Sequence, residues 1–372
     1  MIPRRFALLV VVAVLIYCPS AWAVVESIGA TATAEVEEEV GGTVVNSDFA
    51  FEELDSTTGN LPLIADAQLR KAGEAGDSGA AATTTFSDPR PATTPDPQEF
   101  GIAAVAFSQA DDTSYTGLSV ATESRAVTFL AEEIGESDGT ALQARSYFFV
   151  DGLIVLWGKP GQDDLSGALA ELSLKVEQTR GEAGEPAKVL GASLSLDGRT
   201  DSGAVLTTEG GITPANVIVL PISDLVPELG AVQLVLIPTL AIPYEYPAEV
   251  GEQFKLDARI EGYVSTPPGT GAAVLVGVSL ADLSELIEEL VGEPGSKLAN
   301  ALDVILNSGL LPAKPLQSDT GETEITVLRG IPFLPGNGCG MLGIESLALL
   351  LAGGLTLRLA RGGRYGWMAA MR

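Results

Sequence analysis

Residues 254–264 read FKLDARIEGYV. Phe254, Leu256, Ala258, Ile260 and Val264 fall on one parity, and Lys255, Asp257, Arg259 and Glu261 fall on the other. On a helix the four charges would be scattered round every side. On a strand they share one face and leave the apolar set to a core. The stretch therefore predicts a strand with one buried face.

The same period recurs on both sides of it. LAELSLKVEQT, residues 169–179, turns Leu172, Leu174 and Val176 one way, and IGATATAEV, residues 28–36, alternates Ile, Ala and Val with Gly, Thr and Glu. Further strands are expected at 44–54, 101–108, 127–130, 189–196, 217–221, 232–237 and 272–278. Glycine and proline punctuate the intervals, and no fixed-period repeat emerges. This texture predicts a mainly β fold, an antiparallel β-sandwich of jelly-roll or immunoglobulin-like type, rather than alternating strands and helices. RSYFFVDGLIVLWG, residues 145–158, predicts a hairpin of 145–150 with 153–157 about Asp151-Gly152, a pair suited to a type I′ turn.

One segment departs from the pattern. Between 279 and 309, Leu280, Leu283, Leu286, Ile287 and Leu290 recur at helical spacing. Ser279 and Asp282 open this helix, Gly292 and Pro294 close it, and a second helix is expected over 297–306 with Leu298, Leu302 and Ile305 on one side. Their polar faces are acidic, which suits packing on the sheet better than a membrane surface. Residues 72–98 and 311–324, rich in Gly, Pro, Thr and Asp, are expected as loops.

Composition bounds the chemistry. The chain carries 49 acidic against 21 basic residues, a formal charge of −28. Such a surface repels nucleic acid and anionic lipid, so no nucleic-acid partner is expected. There is no histidine, which removes the common serine and cysteine triads, histidine zinc sites and haem ligation. No Gly-x-Ser-x-Gly elbow, phosphate loop or dinucleotide fingerprint occurs. Paired carboxylates could still serve a hydrolase, yet composition selects no pair. Trp157 is the one tryptophan between the two termini, and it ends an apolar strand as a core or sheet-edge residue would. The expectation is a non-enzymatic structural or adhesive module, with a calcium- or glycan-binding module as the alternative. For calcium, GQDDLSG offers Asp163 and Asp164, and LDGRTDSG offers Asp197 and Asp201. Neither has EF-hand spacing.

The termini predict an address. Arg4 and Arg5 precede an apolar run over 6–17, and Ala21-Trp22-Ala23 ends in the small-x-small pattern of signal peptidase sites. The run is shorter than the about 20 residues a spanning helix needs, so residues 1–23 are expected to leave after Ala23, taking Cys18 with them. The retained Cys339 then has no partner for an internal disulfide. Near the other end Gly338-Cys339-Gly340 leads into an apolar run over 347–357, followed by Arg358, Arg361 and Arg364. Arginines behind an apolar run stay cytoplasmic and place the preceding body outside.

This three-part layout resembles the sorting tails of bacterial surface proteins of the PEP-CTERM, GlyGly-CTERM and MYXO-CTERM types, and its Gly-Cys opening looks most like the last. The resemblance implies a membrane-embedded processing enzyme acting near Cys339. A plain membrane helix over 341–357 is the other reading of the same residues. The expected organisation is a leader over 1–23, a body over 24–330 with a helical insert at 279–309, a linker over 331–338, a sorting or transmembrane tail over 339–364, and a cytoplasmic end over 365–372.

Overall fold

The computed structural model of the chain describes residues 23–54, 63–70, 79–86, 102–110, 112–181, 184–199, 203–221, 230–277 and 324–328. Nearly all of them lie in two antiparallel sheets. The first sheet runs, in spatial order, β10 (Ala204–Glu209), β9 (Ala187–Gly198), β8 (Leu169–Arg180), β13 (Gln253–Thr266), β6 (Ser114–Phe129), β1 (Ala23–Val40) and β2 (Thr43–Leu54). The second runs β11 (Ile218–Pro221), β12 (Val232–Glu249), β7 (Ala141–Gly158), β14 (Thr270–Val276), β5 (Ile102–Gln109), β4 (Gly79–Phe86) and β3 (Leu63–Arg70). A short β15 (Glu324–Val327) pairs with β7 at residues 142–145, on the part of its edge that β14 leaves open. Neither sheet closes into a barrel, and among the described residues the only helix is one turn, α1 (Ala131–Ile134).

The sheets pack face to face because each strand's alternation delivers one apolar set inward. In β6, β8 and β13 every second residue is buried. The interior is wedge-shaped. At one side Ala30, Ala32 and Ala34 of β1 meet Ala65 and Ala67 of β3 and Ala80 and Ala82 of β4. Side chains this small let Cα atoms of facing strands come within 8 Å, closer than the about 10 Å usual for stacked sheets. At the other side Leu172, Leu174, Leu194 and Leu196 face Ile154, Leu156 and the β12 residues Ile242, Tyr244 and Tyr246. Phe254 sits between Phe129 and Tyr246, with ring centroids 5.6 and 5.5 Å away. Polar groups in the narrow side find partners. Ser119 bonds Thr84 at 2.7 Å and accepts the Val105 amide at 3.2 Å, tying the sheets together.

The strands at 28–36, 44–54, 169–179, 189–196, 232–237 and 254–264 fall within observed ones, and 217–221 matches β11 from Ile218 on. Those at 101–108 and 272–278 match β5 over 102–108 and β14 over 272–276, with residues 101 and 278 outside the described ones. The strand at 127–130 is only the end of the longer β6, and its last residue, Leu130, lies just beyond it. Two expectations are corrected. The hairpin about Asp151-Gly152 does not form, since β7 runs unbroken through both residues. Val150 pairs with Leu240 and Gly152 with Ile237, so Pro238 and Thr239 together oppose Asp151. This is a bulge, a place where proline's missing N–H costs the ladder nothing. Gly152 takes φ 146°, and a Cβ there would lie 2.0 Å from the Leu275 carbonyl oxygen. The pair thus serves close backbone approach instead of a turn. The loop expected over 72–98 is also corrected, because it contains β4. The leader before Ala23, the helical insert at 279–309, the loop at 311–323, the linker and the tail lie outside the described residues.

Candidate functional site

The outward face of the first sheet gathers the surface features that composition alone could not place. β1 and β2 are joined by Gly41-Gly42, with φ of 60° and 79°. Two successive positive φ values mark the tight turn whose twist suits a hairpin. That turn fixes the register that sets Phe49 against Glu35 and Phe51 against Thr33. On the other edge of β1, Glu35 faces Leu118 and Thr33 faces Val120. β13 continues the two rows with Tyr263 and Glu261, and β8 with Glu171 and Ser173.

All of these side chains share the parity that points away from the core. Phe49 and Phe51 are 60% and 50% exposed, and Val44, Val45 and Ile64 nearby are exposed as well. Leu118, Val120 and Tyr263 are half-buried between neighbouring strands. The result is an apolar band of Leu118, Val120 and Tyr263 over β6 and β13, separated from the exposed Phe49 and Phe51 of β2 by Thr33 and Glu35 of β1. Asp48 accepts the Gln68 backbone amide of β3 at 2.8 Å, which ties this edge strand to the opposite sheet. Exposed aromatic patches of this kind mark interaction sites more often than isolated exposed leucines do.

The band is rimmed by acid. Burial raises the Tyr263 phenol above its ordinary range, and the charges of Glu171, Glu39 and Glu37 push it further, against a lowering hydrogen bond from Ser265. Elsewhere on the same face acidic groups have a cation two residues away. Lys175 meets Glu177 at 2.6 Å, Lys255 meets Asp257 at 2.8 Å, and Arg259 meets Glu261 at 2.5 Å. Among the described residues no ion pair involves Glu35, Glu37 or Glu171. The band and its rim therefore offer apolar contact together with negative charge, a combination complementary to a partner carrying cations beside apolar groups.

The residues singled out for calcium lie elsewhere. Asp163 and Asp164 stand on the turn between β7 and β8, and Asp197 is near the end of β9. The Leu165 amide donates to the Arg199 carbonyl at 3.1 Å, so the two turns lie side by side. Their carboxylates are used locally. Asp164 accepts the Ser166 amide at 2.9 Å, and its bonds to Ser166 lower its pKa. Asp197 holds Arg199 at 2.8 Å. Asp201 lies outside the described residues, among which no group of three His, Cys, Asp or Glu is placed to hold a metal ion. Of the sorting residues, Ala23 is the first residue of β1, while Cys339, Arg358, Arg361 and Arg364 lie outside. Among the described residues no helix is long and apolar enough to cross a membrane.

Nothing in the residues around Phe49 and Phe51 signals that their side chains face outward. Their period of two reads as an inward set, and only the pairing with Glu35 and Thr33 shows the direction. No protein-family model matches the chain, and no curated protein matches it.

Proposed function

We propose that the protein is exported, held at the cell envelope by its C-terminal tail, and acts there without catalysis as a structural or adhesive module. The observation that carries this reading is the pair Phe49 and Phe51, exposed on an edge hairpin beside Glu35 and the acidic rim. An apolar band with uncompensated negative charge is suited to holding a surface that is both basic and apolar. The leader ending at Ala23 and the resemblance of residues 336–364 to bacterial sorting tails supply the address. Signal peptidase and a membrane processing enzyme are the partners that this address requires.

Within two-sheet folds, the jelly-roll type fits better than the immunoglobulin-like one. The chain changes sheet between β2 and β3, β5 and β6, β6 and β7, β7 and β8, β10 and β11, β12 and β13, and β13 and β14. Such frequent crossing is the habit of doubled Greek keys. A calcium-binding reading retains one observation, the adjacency of the turns that carry Asp163, Asp164 and Asp197.

The test is adhesion of cells that display the full chain, measured beside cells displaying Phe49→Ser with Phe51→Ser. Surface display should be equal and attachment should drop about tenfold, the equivalent of 1.4 kcal/mol. Unchanged attachment would assign the binding elsewhere. Deleting residues 339–372 should release the body from the envelope, and retention there would remove the tail from the proposal.

A further inference from the structure

Ten large apolar side chains are exposed among the described residues, and five of them, Val40, Val44, Val45, Phe49 and Phe51, stand on the β1–β2 hairpin. The same hairpin carries Glu35, Glu37 and Glu39 at every second position of β1, on the outward parity. Two residues of a strand advance about 6.8 Å, so the three carboxylates make a ladder about 14 Å long. Residues 23–54 contain no lysine or arginine. Beside the ladder β6 presents Ser114, Thr116 and Leu118, which bring no cation either. Elsewhere on this face Lys175, Lys255 and Arg259 each neutralise an acidic neighbour on their own strand. Among the described residues none of the three ladder carboxylates has an ion pair.

The register sets what flanks the ladder. Leu118 and Phe49 stand on either side of Glu35, and Val120 and Phe51 on either side of Thr33. Neighbouring strands are about 4.8 Å apart, so each row is about 10 Å wide between its two apolar ends. At Thr33 the short side chain leaves room for an apolar group between Val120 and Phe51. At Glu35 a lysine stem can lie along Leu118 and Phe49 while its ammonium meets the carboxylate. The edge of β2 is already engaged at this height. One oxygen of Asp48 accepts the Phe49 amide at 3.0 Å, and the other accepts the Gln68 amide of β3 at 2.8 Å. A partner therefore lies on the face of the sheet and not beside β2.

We propose, building on the adhesive reading of Phe49 and Phe51, that this face binds an extended polypeptide segment laid along residues 33–39 of β1. The segment carries lysine or arginine at three alternate positions and an apolar side chain at the next. An extended chain repeats such cations at the same about 6.8 Å as the ladder. Cations on one face of a helix, at i, i+4 and i+7, span only about 10.5 Å and fall about 3 Å short. A second copy of this chain brings the same negative charge, a formal −28. An anionic bilayer is repelled by the ladder as well.

The test titrates the purified full chain into a fluorescein-labelled peptide, KSKSKSFSL, and follows its anisotropy. Binding should saturate, and Glu35→Gln with Glu37→Gln and Glu39→Gln should weaken it about tenfold, the loss of three surface ion pairs. A peptide of the same composition with its lysines together, KKKSSSFSL, should bind the parent severalfold less well. Glu35→Lys with Glu37→Lys and Glu39→Lys should reverse the preference, taking ESESESFSL over KSKSKSFSL, and circular dichroism should keep its β-sheet signal in both variants. Equal binding of the two lysine peptides, or indifference to the glutamine variant, would overturn the proposal. So would binding of phosphatidylcholine vesicles, or of a second chain, in place of the peptide. If no peptide binds while displayed cells still lose attachment with Phe49→Ser and Phe51→Ser, the partner is wrong and the adhesive module stands. If that loss is absent too, both fall.

Discussion

Arg125 Nε lies 2.5 Å from Glu123 Oε1, and both side chains are buried, at 5% and 0% exposure, on the inward face of β6. The pair sits among alanines and leucines, since Glu123 is flanked across the sheet by Ala30 and Ala258, and Arg125 by Leu256. A charge in such surroundings depends on its partner.

Removing one partner should therefore cost more than removing both. Glu123→Ala and Arg125→Ala are each expected to lower unfolding free energy by about 3–5 kcal/mol. The double change Glu123→Leu with Arg125→Met should cost clearly less than the sum. Urea denaturation of the four proteins measures the coupling. Single variants within about 1 kcal/mol of the parent would show that the pair is dispensable.

Gly152 and Gly139 make a matched comparison, because both have positive φ but only one is crowded. Gly139→Ala meets nothing within 4 Å, and should cost the about 1 kcal/mol of backbone strain alone. Gly152→Ala sets a methyl 2.0 Å from the Leu275 oxygen, and should cost more than about 3 kcal/mol. Equal melting temperatures for the two variants would contradict the bulge geometry.

Asp151 gives a pH signature. Burial raises its pKa above the ordinary carboxylate value of 3.8, against a lowering contribution from its own backbone. A raised folded pKa means that the fold prefers the protonated form. The stability it confers is fully present below the unfolded value and is lost as pH rises through the folded one. Asp151→Asn should thus be more stable than the parent at pH 7, and the advantage should vanish near pH 3. Identical urea midpoints at both pH values would show that the carboxylate is not desolvated in the fold.

Calcium discriminates between the structural reading and its alternative. With Asp164 held by Ser166 and Asp197 by Arg199, millimolar calcium should move the melting temperature by less than a degree or so. Binding of the native state at 100 times its Kd would add about 2.7 kcal/mol, which a thermal melt resolves easily. A shift of several degrees, abolished by Asp163→Asn, would transfer the function to a calcium site.

Period-two alternation made most of the strands legible, because a half-buried sheet must show it. β13 and β8 are the clearest instances, with charges outward on every second residue. β4 was not legible. GAAATTTF carries no large apolar side chain before its last residue, and the narrow side of the wedge needs none there, since Ala80 and Ala82 are buried in the interior that they share with the β1 alanines. Turn chemistry misled at Asp151-Gly152, and the turn the structure does make, at Gly41-Gly42, was not singled out from the sequence. Asp151-Gly152 has the turn composition, but its flanking strands are each held by β12 rather than by one another, while Gly41-Gly42 makes the two-residue turn. The interaction surface was least legible of all. A phenylalanine at period two in β2 looks the same whether it fills a core or faces water, and only the neighbouring strands decide.

β7 is the hub of the second sheet, and every strand that pairs with it comes later in the chain. Its full-length neighbour begins at Val232, β14 at Thr270 and β15 at Glu324. During synthesis or threading, its apolar run therefore has no ladder to join until most of the polypeptide has arrived. Pairings this distant in sequence put the fold among the slow ones, and the waiting strand is an aggregation hazard meanwhile. The heavy negative charge then has a kinetic use, because mutual repulsion keeps unfinished chains apart while the last strands reach their places.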